Sequence, residues 1–156
     1  MRVAIGSDKS GFTLKEAVKQ YLIANNIEFD DFGTTDTEHA KGFFLVAPAV
    51  AEQIQSGAYD RGIIVCGTGA GMSILANKYK GVYAVACESV YSARMARAIN
   101  NAQILAMGGW IVAPEMGVKM AEAFLTTDWL QDLEDWRKGW LASAAEQVGK
   151  LEETMF

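Results

Sequence analysis

Residues 61–73 read RGIIVCGTGAGMS and contain the clearest strand, turn and helix pattern of the chain. Residues 62–66 form an apolar run without a break, which is typical of a strand covered on both faces of a sheet. Three glycines then alternate with other residues over 67–71, and a helical pattern continues through Ile74 and Ala76. A buried strand, a tight turn and a helix in this order predict one unit of a parallel α/β sheet.

The same alternation extends in both directions along the chain. Predicted strands cover residues 3–5, 27–32, 62–66, 82–87 and 103–107. Predicted helices cover residues 14–22, 45–56, 90–99 and 114–125, and a further helix follows the glycine-rich turn through Ile74 and Ala76. Strands that are separated by helices pair in parallel through right-handed crossovers. We therefore predict an α/β fold, a Rossmann-like doubly wound sheet of five parallel strands in the order 2-1-3-4-5.

Residues 128–156 extend beyond this sheet and carry a stripe of large apolar side chains at helical spacing. The stripe spans roughly seven turns, which is longer than a small sheet can cover. We expect residues 1–127 to form the α/β domain and residues 128–156 to form a long C-terminal helix that packs partly across another subunit. Packing on its own domain is the alternative. The stripe consists of Trp129, Leu133, Trp136, Trp140, Val148, Leu151 and Met155.

The composition argues against two classes of partner. The 156 residues carry a formal charge of −5, with a sequence pI of about 4.9 and no Lys/Arg cluster that would bind nucleic acid. No apolar run approaches the ~20 residues of a membrane span, and no signal-peptide core follows Met1. Cys66 and Cys87 are the only cysteines, too few for a disulfide framework. We therefore expect both thiols to be reduced and the protein to be cytoplasmic. No group of residues has the spacing of a metal site, so no metal is predicted.

Open parallel sheets bind ligands beyond the carboxyl ends of strands where the strand order reverses. In the predicted order this crevice lies between the first and third strands, where loops 7–11 and 66–73 meet. Glycines in the second loop let main-chain N–H groups approach a ligand oxygen, and the helix that follows adds partial positive charge. Such a turn can hold a phosphate or stabilise an oxyanion. A dinucleotide-binding loop would follow the first strand, which argues against a nicotinamide or flavin cofactor.

Cys66 ends the third predicted strand immediately before the glycine-rich turn. Free cysteine is among the most buried residue types, so one interpretation is an inert core thiol. The other is a thiolate, favoured by the helix N-terminus, that moves a proton between adjacent carbons of a hydroxycarbonyl compound. The N–H groups of the turn would then stabilise the enediolate. The spacing alone leaves both interpretations open.

Asp8 and Lys9 end the first predicted strand at the same crevice. Asp8 is suited either to capping the helix that begins near Gly11 or to binding sugar hydroxyl groups. Lys9 is suited either to a solvated position or to pairing with a phosphate. His39 is the only histidine and falls in a loop, where a lone histidine is more often incidental.

At these residues the sequence resembles the family of ribose-5-phosphate isomerase B and galactose-6-phosphate isomerase. The most specific match is the Cys-Gly-Thr-Gly-x-Gly-x-Ser block over residues 66–73, and the resemblance extends from residue 1 to about 127. It implies a cofactor-independent, metal-free sugar-phosphate isomerase that is a dimer or tetramer with its site at the subunit interface. The other matching stretches are residues 3–15, 31–34, 60–65, 76–78, 91–94, 100–102 and 108–115.

The resemblance also implies roles for individual residues. Cys66 is the enediol base, and Thr68 acts with it beside the carbonyl oxygens. Asp8 and Asn100 hold sugar hydroxyl groups, and Arg137 is a candidate for the phosphate. The remaining substrate-binding candidates are Lys9, Gly67, Gly69, Gly71 and Ser73.

Several positions depart from the family's pattern. Lys9 stands where the family usually has histidine, and residues 41–44 replace an Asp-Tyr-Pro segment. Ile99 stands in place of the histidine assigned to ring opening. Trp110 stands in place of an arginine that helps to bind phosphate, and the arginine-rich tail is replaced by the tryptophan-bearing helix.

Two consequences follow from these departures. Isoleucine cannot move a proton, so ring opening must either fall to another group or be unnecessary, as it is for a four-carbon ketose phosphate or another sugar that binds in its open-chain form. We therefore expect a substrate other than ribose 5-phosphate. Other cations must also bind the phosphate, because the arginines that bind it in the family are replaced. We predict an aldose–ketose isomerase, with a non-catalytic sugar-phosphate-binding protein, a partner subunit of an active homologue, or a flavodoxin-like nucleotide binder as alternatives. The candidate cations are Lys9, Arg94, Arg97 and Arg137.

Overall fold

The computed structural model describes all residues from 1 to 156 and contains five strands and six α-helices. The strands are β1 (Arg2–Ser7), β2 (Glu28–Asp31), β3 (Arg61–Cys66), β4 (Ala84–Ala86) and β5 (Ile104–Gly108). The helices are α1 (Phe12–Ala24), α2 (Phe43–Gln55), α3 (Ala70–Ala76), α4 (Val90–Ala98), α5 (Pro114–Thr126) and α6 (Asp135–Met155). A short 3₁₀ helix lies at Thr37–His39.

All strand pairs are parallel, which confirms the predicted fold class, but the strand order is β2-β1-β3-β5-β4. The predicted order 2-1-3-4-5 was therefore wrong at one edge. All five residues of β5 are buried, so this strand lies between two neighbours, with Ile104 beside both Gly62 and Ala84. Strand β4 has three residues, of which only Ala84 is buried, and such a short strand suits the exposed edge.

Side chains alternate across the sheet and build two separate cores. Val3 and Ile63 point to the face that is covered by α1, α4 and α5, where Phe124 is also fully buried. Ala4 and Ile64 point to the opposite face, which is covered by α2 and α3. Each fully buried large apolar side chain contributes roughly 1.5–3 kcal/mol of transfer free energy. The two helix layers cover both faces of the sheet, so the strand ends that carry the loops at its carboxyl edge are held in place.

The C-terminal segment is helical only from Asp135, seven residues later than predicted. Leu130 and Asp132 have positive φ values of 66° and 56°, which end any helical path through this stretch. The main-chain N–H of Leu130 donates to the carbonyl of Ala98, which places the start of α6 near the end of α4. No helix of the chain combines the length and the apolar character that a bilayer crossing requires.

Helix α6 is attached mainly at its far end. Glu152 accepts hydrogen bonds from the N–H of Gly81 at 2.6 Å and from the hydroxyl of Tyr83 at 3.1 Å. Leu141 is its only buried residue, while Trp136 and Trp140 are 73% and 65% exposed. The predicted apolar stripe is therefore uncovered along most of this helix.

Candidate active site

A cleft of about 200 Å³ lies at the carboxyl edge of the sheet, where the loops after β1, β3 and β5 meet. It is at the predicted crevice between β1 and β3, which are hydrogen-bonded neighbours. The loops converge because the connections from β1 and β3 leave toward opposite faces of the sheet. The lining residues are Asp8, Ser10, Phe43, Cys66, Gly67, Thr68, Gly71 and Trp110.

Cys66 is the last residue of β3, and its thiol faces the turn that borders this cleft. The residue is 5% exposed, and Sγ accepts a hydrogen bond of 3.2 Å from the N–H of Gly69. Gly69 reaches this position with φ of +81°, a conformation that glycine adopts without strain. This hydrogen bond holds the sulfur beside the turn, at the border of the cleft.

Asp8 holds the loop that leads into α1 but does not cap this helix. Its Oδ1 accepts a hydrogen bond of 3.0 Å from the N–H of Gly11, the residue before α1, and α1 has no side-chain cap hydrogen bond. Asp8 lines the cleft, and its Oδ2 forms no hydrogen bond within the chain. One carboxylate oxygen therefore holds the loop, and the other is free to accept a hydrogen bond from a ligand hydroxyl group.

Two aromatic rings lie against the glycine-rich turn. A Cβ placed on Gly67 would lie 2.8 Å from the indole Cε3 of Trp110, and one on Gly71 would lie 3.1 Å from Cε2 of Phe43. A side chain at either glycine would therefore displace the ring that lies against it. Sequence analysis singled out both segments as departures from a family pattern but did not predict that either ring lines the site, and Ser10 was missed as well.

Main-chain hydrogen bonds fix Trp110 in this position. The N–H of Gly109 donates to the carbonyl of Cys66 at 2.7 Å, and the N–H of Trp110 donates to the carbonyl of Gly67 at 3.0 Å. The loop after β5 is thus paired with the turn after β3. The indole is still 75% exposed, which leaves its ring available to a ligand.

The structure brings together only part of the predicted site. Cys66, Thr68, Gly67, Gly71 and Asp8 line the cleft, and Gly69 supplies the donor to the thiol. Four other candidates, including Asn100, do not line it, for different reasons. Lys9 is exposed on the β1–α1 loop, Ser73 uses its hydroxyl to donate to the carbonyl of Ala84 at 3.2 Å, and Arg137 lies in the first turn of α6.

Asn100 lies at the opposite edge of the sheet from Cys66. It precedes β5, which begins at Ile104 beside Gly62, whereas Cys66 pairs with Gly108 at the carboxyl edge. Helix α6 and Arg137 begin on the side of Asn100, near the end of α4. Neither residue therefore reaches the Cys66 cleft of its own chain.

No lysine or arginine side chain lines the cleft. Arg94 forms an ion pair of 2.7 Å with Asp132, away from the turn. Arg97 is 3% exposed and donates to the carbonyl of Ala102, and its burial together with the nearby Arg61 cation lowers its pKa to about 10. The two candidates are thus engaged elsewhere in the fold.

Cys87 has no part in this cleft. The predicted order 2-1-3-4-5 would place the strands before Cys66 and Cys87 side by side, but β5 separates β3 from β4. Their side chains belong to the cores on opposite faces of the sheet. Burial raises the pKa of the Cys87 thiol, outweighing a hydrogen bond with Ser92, so this cysteine is a core residue.

Comparison with known proteins identifies the family of this chain. A family model described as Ribose/Galactose Isomerase matches residues 3–138. The chain belongs to the ribose/galactose isomerase family. Family membership confirms the predicted resemblance, and the relatives that are named sugar isomerases identify the protein as an aldose–ketose isomerase.

Individual members of the family resemble this chain over most of their length. A 4-deoxy-4-sulfo-D-erythrose isomerase of Clostridium sp. (strain MSTE9) is 54% identical over 156 residues, covering 100% of this chain and 98% of that protein. The ribose-5-phosphate isomerase B of Escherichia coli (strain K12) is 37% identical and covers 80% of this chain and 83% of that protein. The solved ribose-5-phosphate isomerase B of Clostridium thermocellum superposes with a TM-score of 0.90 at 34% identity, covering 100% of both chains.

Proposed function

We propose that this isomerase interconverts the aldose and ketose forms of a four-carbon sugar that carries a terminal sulfonate, of the 4-deoxy-4-sulfo-D-erythrose type. The observation that carries the proposal is a cleft with a positioned thiol and no cationic side chain, in which Trp110 lies over the turn. The similarity of 54% to a 4-deoxy-4-sulfo-D-erythrose isomerase over the full chain supports the same substrate class.

The charge of the cleft favours a sulfonate over a phosphate. A phosphate monoester carries about −1.5 to −2 charges near pH 7, whereas a sulfonate carries a single negative charge. The only charged side chain that lines the cleft is the carboxylate of Asp8, which repels both. The less charged headgroup needs fewer cations to offset this repulsion and its own desolvation.

The length of the sugar accounts for Ile99. In a 4-deoxy-4-sulfo tetrose the C4 hydroxyl is replaced by the sulfonate, so no oxygen remains to close a five-membered ring. Such a sugar is open without catalysis, and no acid is needed to open it. An isoleucine is therefore acceptable at a position where a ring-opening histidine would otherwise be required.

The proposed chemistry is a proton transfer through an enediolate. The Cys66 thiolate removes the proton from C2 of the aldose, and the N–H groups of the 67–71 turn stabilise the negative charge that develops on O1. The Thr68 hydroxyl, at the cleft, exchanges the O2 and O1 protons, while Asp8 Oδ2 holds a further hydroxyl group. Cys66 then returns its proton to C1, which yields the ketose, so every group required belongs to the chain.

The proposal includes a dimer in which each cleft is completed by the partner. Asn100 and Arg137 lie at the edge opposite to Cys66, so these two candidates serve a cleft only if it belongs to another copy. The uncovered apolar residues of α6, among them Trp136 and Trp140, provide a surface for that contact. The partner's Arg137 then supplies one positive charge to a singly charged headgroup. Two free cysteines in the chain fit a reducing cytoplasm.

A panel of sugars in deuterated water tests the substrate. The purified enzyme is incubated with 4-deoxy-4-sulfo-D-erythrose, D-erythrose 4-phosphate and D-ribose 5-phosphate, and solvent deuterium at C1 or C2 is followed by NMR. We expect the highest kcat/KM for the sulfonated tetrose. Turnover of ribose 5-phosphate that equals or exceeds that of both tetroses would refute the proposal.

The phosphorylated tetrose is a second candidate substrate. A D-erythrulose-4-phosphate isomerase of Pectobacterium atrosepticum is 34% identical and covers 97% of this chain and 95% of that protein. The same open-chain argument applies to this sugar, because its O4 is esterified. A higher kcat/KM for D-erythrose 4-phosphate than for the sulfonated tetrose would favour this candidate.

A further inference from the structure

We infer that Trp110 and Phe43 form an aromatic clamp that determines both the headgroup and the chain length of the substrate. The inference rests on the proposed function, because it names the residues that select among substrates of the same cleft. Both rings line the cleft, and each lies against a different glycine of the turn that carries the Cys66 donor.

Trp110 occupies a fixed position at the turn. Its own N–H and that of Gly109 pair with the carbonyls of Gly67 and Cys66, so the backbone cannot carry the indole away without breaking two hydrogen bonds. The two loops are also packed backbone to backbone, because a Cβ on Gly108 would lie 2.8 Å from Cα of Thr68. The backbone that carries Trp110 is therefore fixed at the turn, and the indole, which is 75% exposed, forms one wall of the cleft.

The chemistry of the indole explains how this wall selects a headgroup. An indole offers one neutral N–H donor and an apolar face, but no charge. A dianionic phosphate is held best by guanidinium groups that donate in pairs, and the cleft has none. Placed at this wall, a singly charged sulfonate loses less hydration energy and needs fewer donors. Trp110 therefore weakens the binding of a phosphate more than the binding of a sulfonate.

Phe43 limits the length of the sugar from the other side of the turn. Its ring packs against the position of Gly71 and makes an edge-to-face contact with Phe44, with ring centroids 5.7 Å apart. The cleft of about 200 Å³ is smaller than the ~300–1,000 Å³ of pockets that enclose drug-sized ligands. Shortening the Phe43 side chain opens this boundary and makes room for an additional carbon.

Two substitutions with matched controls test the headgroup. Trp110→Arg introduces a cation at the wall, and Ile111→Arg introduces the same charge at an exposed neighbour that does not line the cleft. We expect Trp110→Arg to lower the kcat/KM ratio of sulfonated to phosphorylated tetrose by about tenfold or more, through improved use of the phosphate. Ile111→Arg should leave the ratio near the wild-type value. An unchanged ratio in Trp110→Arg, or an equal shift in Ile111→Arg, would overturn the inference for Trp110.

A second pair of variants tests the chain length. Phe43→Ala should raise the kcat/KM ratio of D-ribose 5-phosphate to D-erythrose 4-phosphate by about tenfold, the size of discrimination that one carbon provides in a shaped pocket. Leu45→Ala is the control, because Leu45 is exposed on the same helix and does not line the cleft. A ratio that is the same in Phe43→Ala as in Leu45→Ala would overturn the inference for Phe43.

Binding measurements separate this inference from the proposed function. Each substitution is repeated in a Cys66→Ala background, and the dissociation constants of the same sugars are measured by calorimetry. If the wild-type enzyme turns over neither tetrose, the proposed function fails, while the ratios of dissociation constants still show whether the two rings select ligands. If turnover is as proposed but no ratio changes, only the aromatic clamp is wrong.

Discussion

The main-chain N–H of Gly69 donates a hydrogen bond of 3.2 Å to Sγ of Cys66. This contact joins the last residue of a buried strand to the turn that follows it, so the thiol lies where one core of the sheet meets the cleft. It also explains why two buried cysteines have different roles. Cys87 lies in the core on the other face of the sheet, where burial raises its pKa and no ligand has access.

Replacement of Cys66 by alanine should abolish most of the activity without preventing binding. A positioned general base contributes about 10²- to 10⁴-fold, so we expect kcat to fall within this range. The dissociation constant of the sugar should change little, because the turn amides and Asp8 remain. Steady-state kinetics and calorimetry measure the two quantities. Cys87→Ser is the matched control, and loss of activity in that variant would show that the effect of Cys66→Ala is structural.

Gly67→Ala should reveal the packing of Trp110 on the turn. The added methyl group would lie 2.8 Å from the indole, so the ring or the turn must shift. We expect the free energy of unfolding in urea to fall by about 1–3 kcal/mol, a typical cost of overpacking. In the double variant Gly67→Ala/Trp110→Ala, the free energy of unfolding should fall by less than the sum of the decreases in the two single variants.

A glycine with open surroundings provides the control for that experiment. A Cβ on Gly149 of α6 meets nothing within 4 Å. Gly149→Ala should therefore raise the free energy of unfolding by about 0.5–1 kcal/mol, because alanine is favoured within helices. If Gly67→Ala behaved like Gly149→Ala, the close approach of Trp110 to the turn would be contradicted.

Because of Asp31, the free energy of unfolding should decrease as the pH becomes acidic. Its side chain is 9% exposed and lies 2.7 Å from the fully buried ammonium group of Lys15. Burial raises the pKa of Asp31, but hydrogen bonds from Lys15, Lys19 and the N–H of Gly33 outweigh it and hold the pKa below its usual 3.8. The unfolded chain thus binds the proton more readily, and the stabilisation is complete above about pH 4 and is lost as the pH falls through the lower folded value.

Asp31→Asn tests this contribution. We expect it to lower the free energy of unfolding at pH 7 by about 3 kcal/mol, because Lys15 is left buried without its main counter-charge. The decline of stability in acid should also become shallower than in the wild type. Urea unfolding at several pH values between neutral and strongly acidic conditions measures both effects. Asp36→Asn is the control, since Asp36 pairs with His39 at the exposed surface and that pair should contribute little.

Mixing two inactive variants tests whether sites are shared between subunits. Cys66→Ala and Asn100→Ala homomers should each have low activity. After they are unfolded together and refolded, a mixed dimer contains one cleft with a native Cys66 and a native Asn100 from the partner subunit. We therefore expect activity to reappear in the mixture. No recovery, with mixed dimers verified by native mass spectrometry, would show that Asn100 does not act across the interface.

The sequence contains most of the information about the individual elements. Apolar runs such as residues 62–66, together with the glycines after them, identify strands, turns and helices through local periodicity. The same periodicity does not reveal which strands are neighbours. The positions of β4 and β5 depend on burial, since the fully apolar β5 requires cover on both sides and the three-residue β4 does not.

The sequence by itself determined the parallel α/β fold and the place of Cys66 beside a turn of glycines at the carboxyl edge of the sheet. Both follow from local patterns of a few consecutive residues. Only the tertiary structure decided that Phe43 and Trp110 meet at that turn, and that Asn100 lies at the far edge. These relationships join residues that are distant in the chain, and they depend on strand register and helix packing, which no local pattern records.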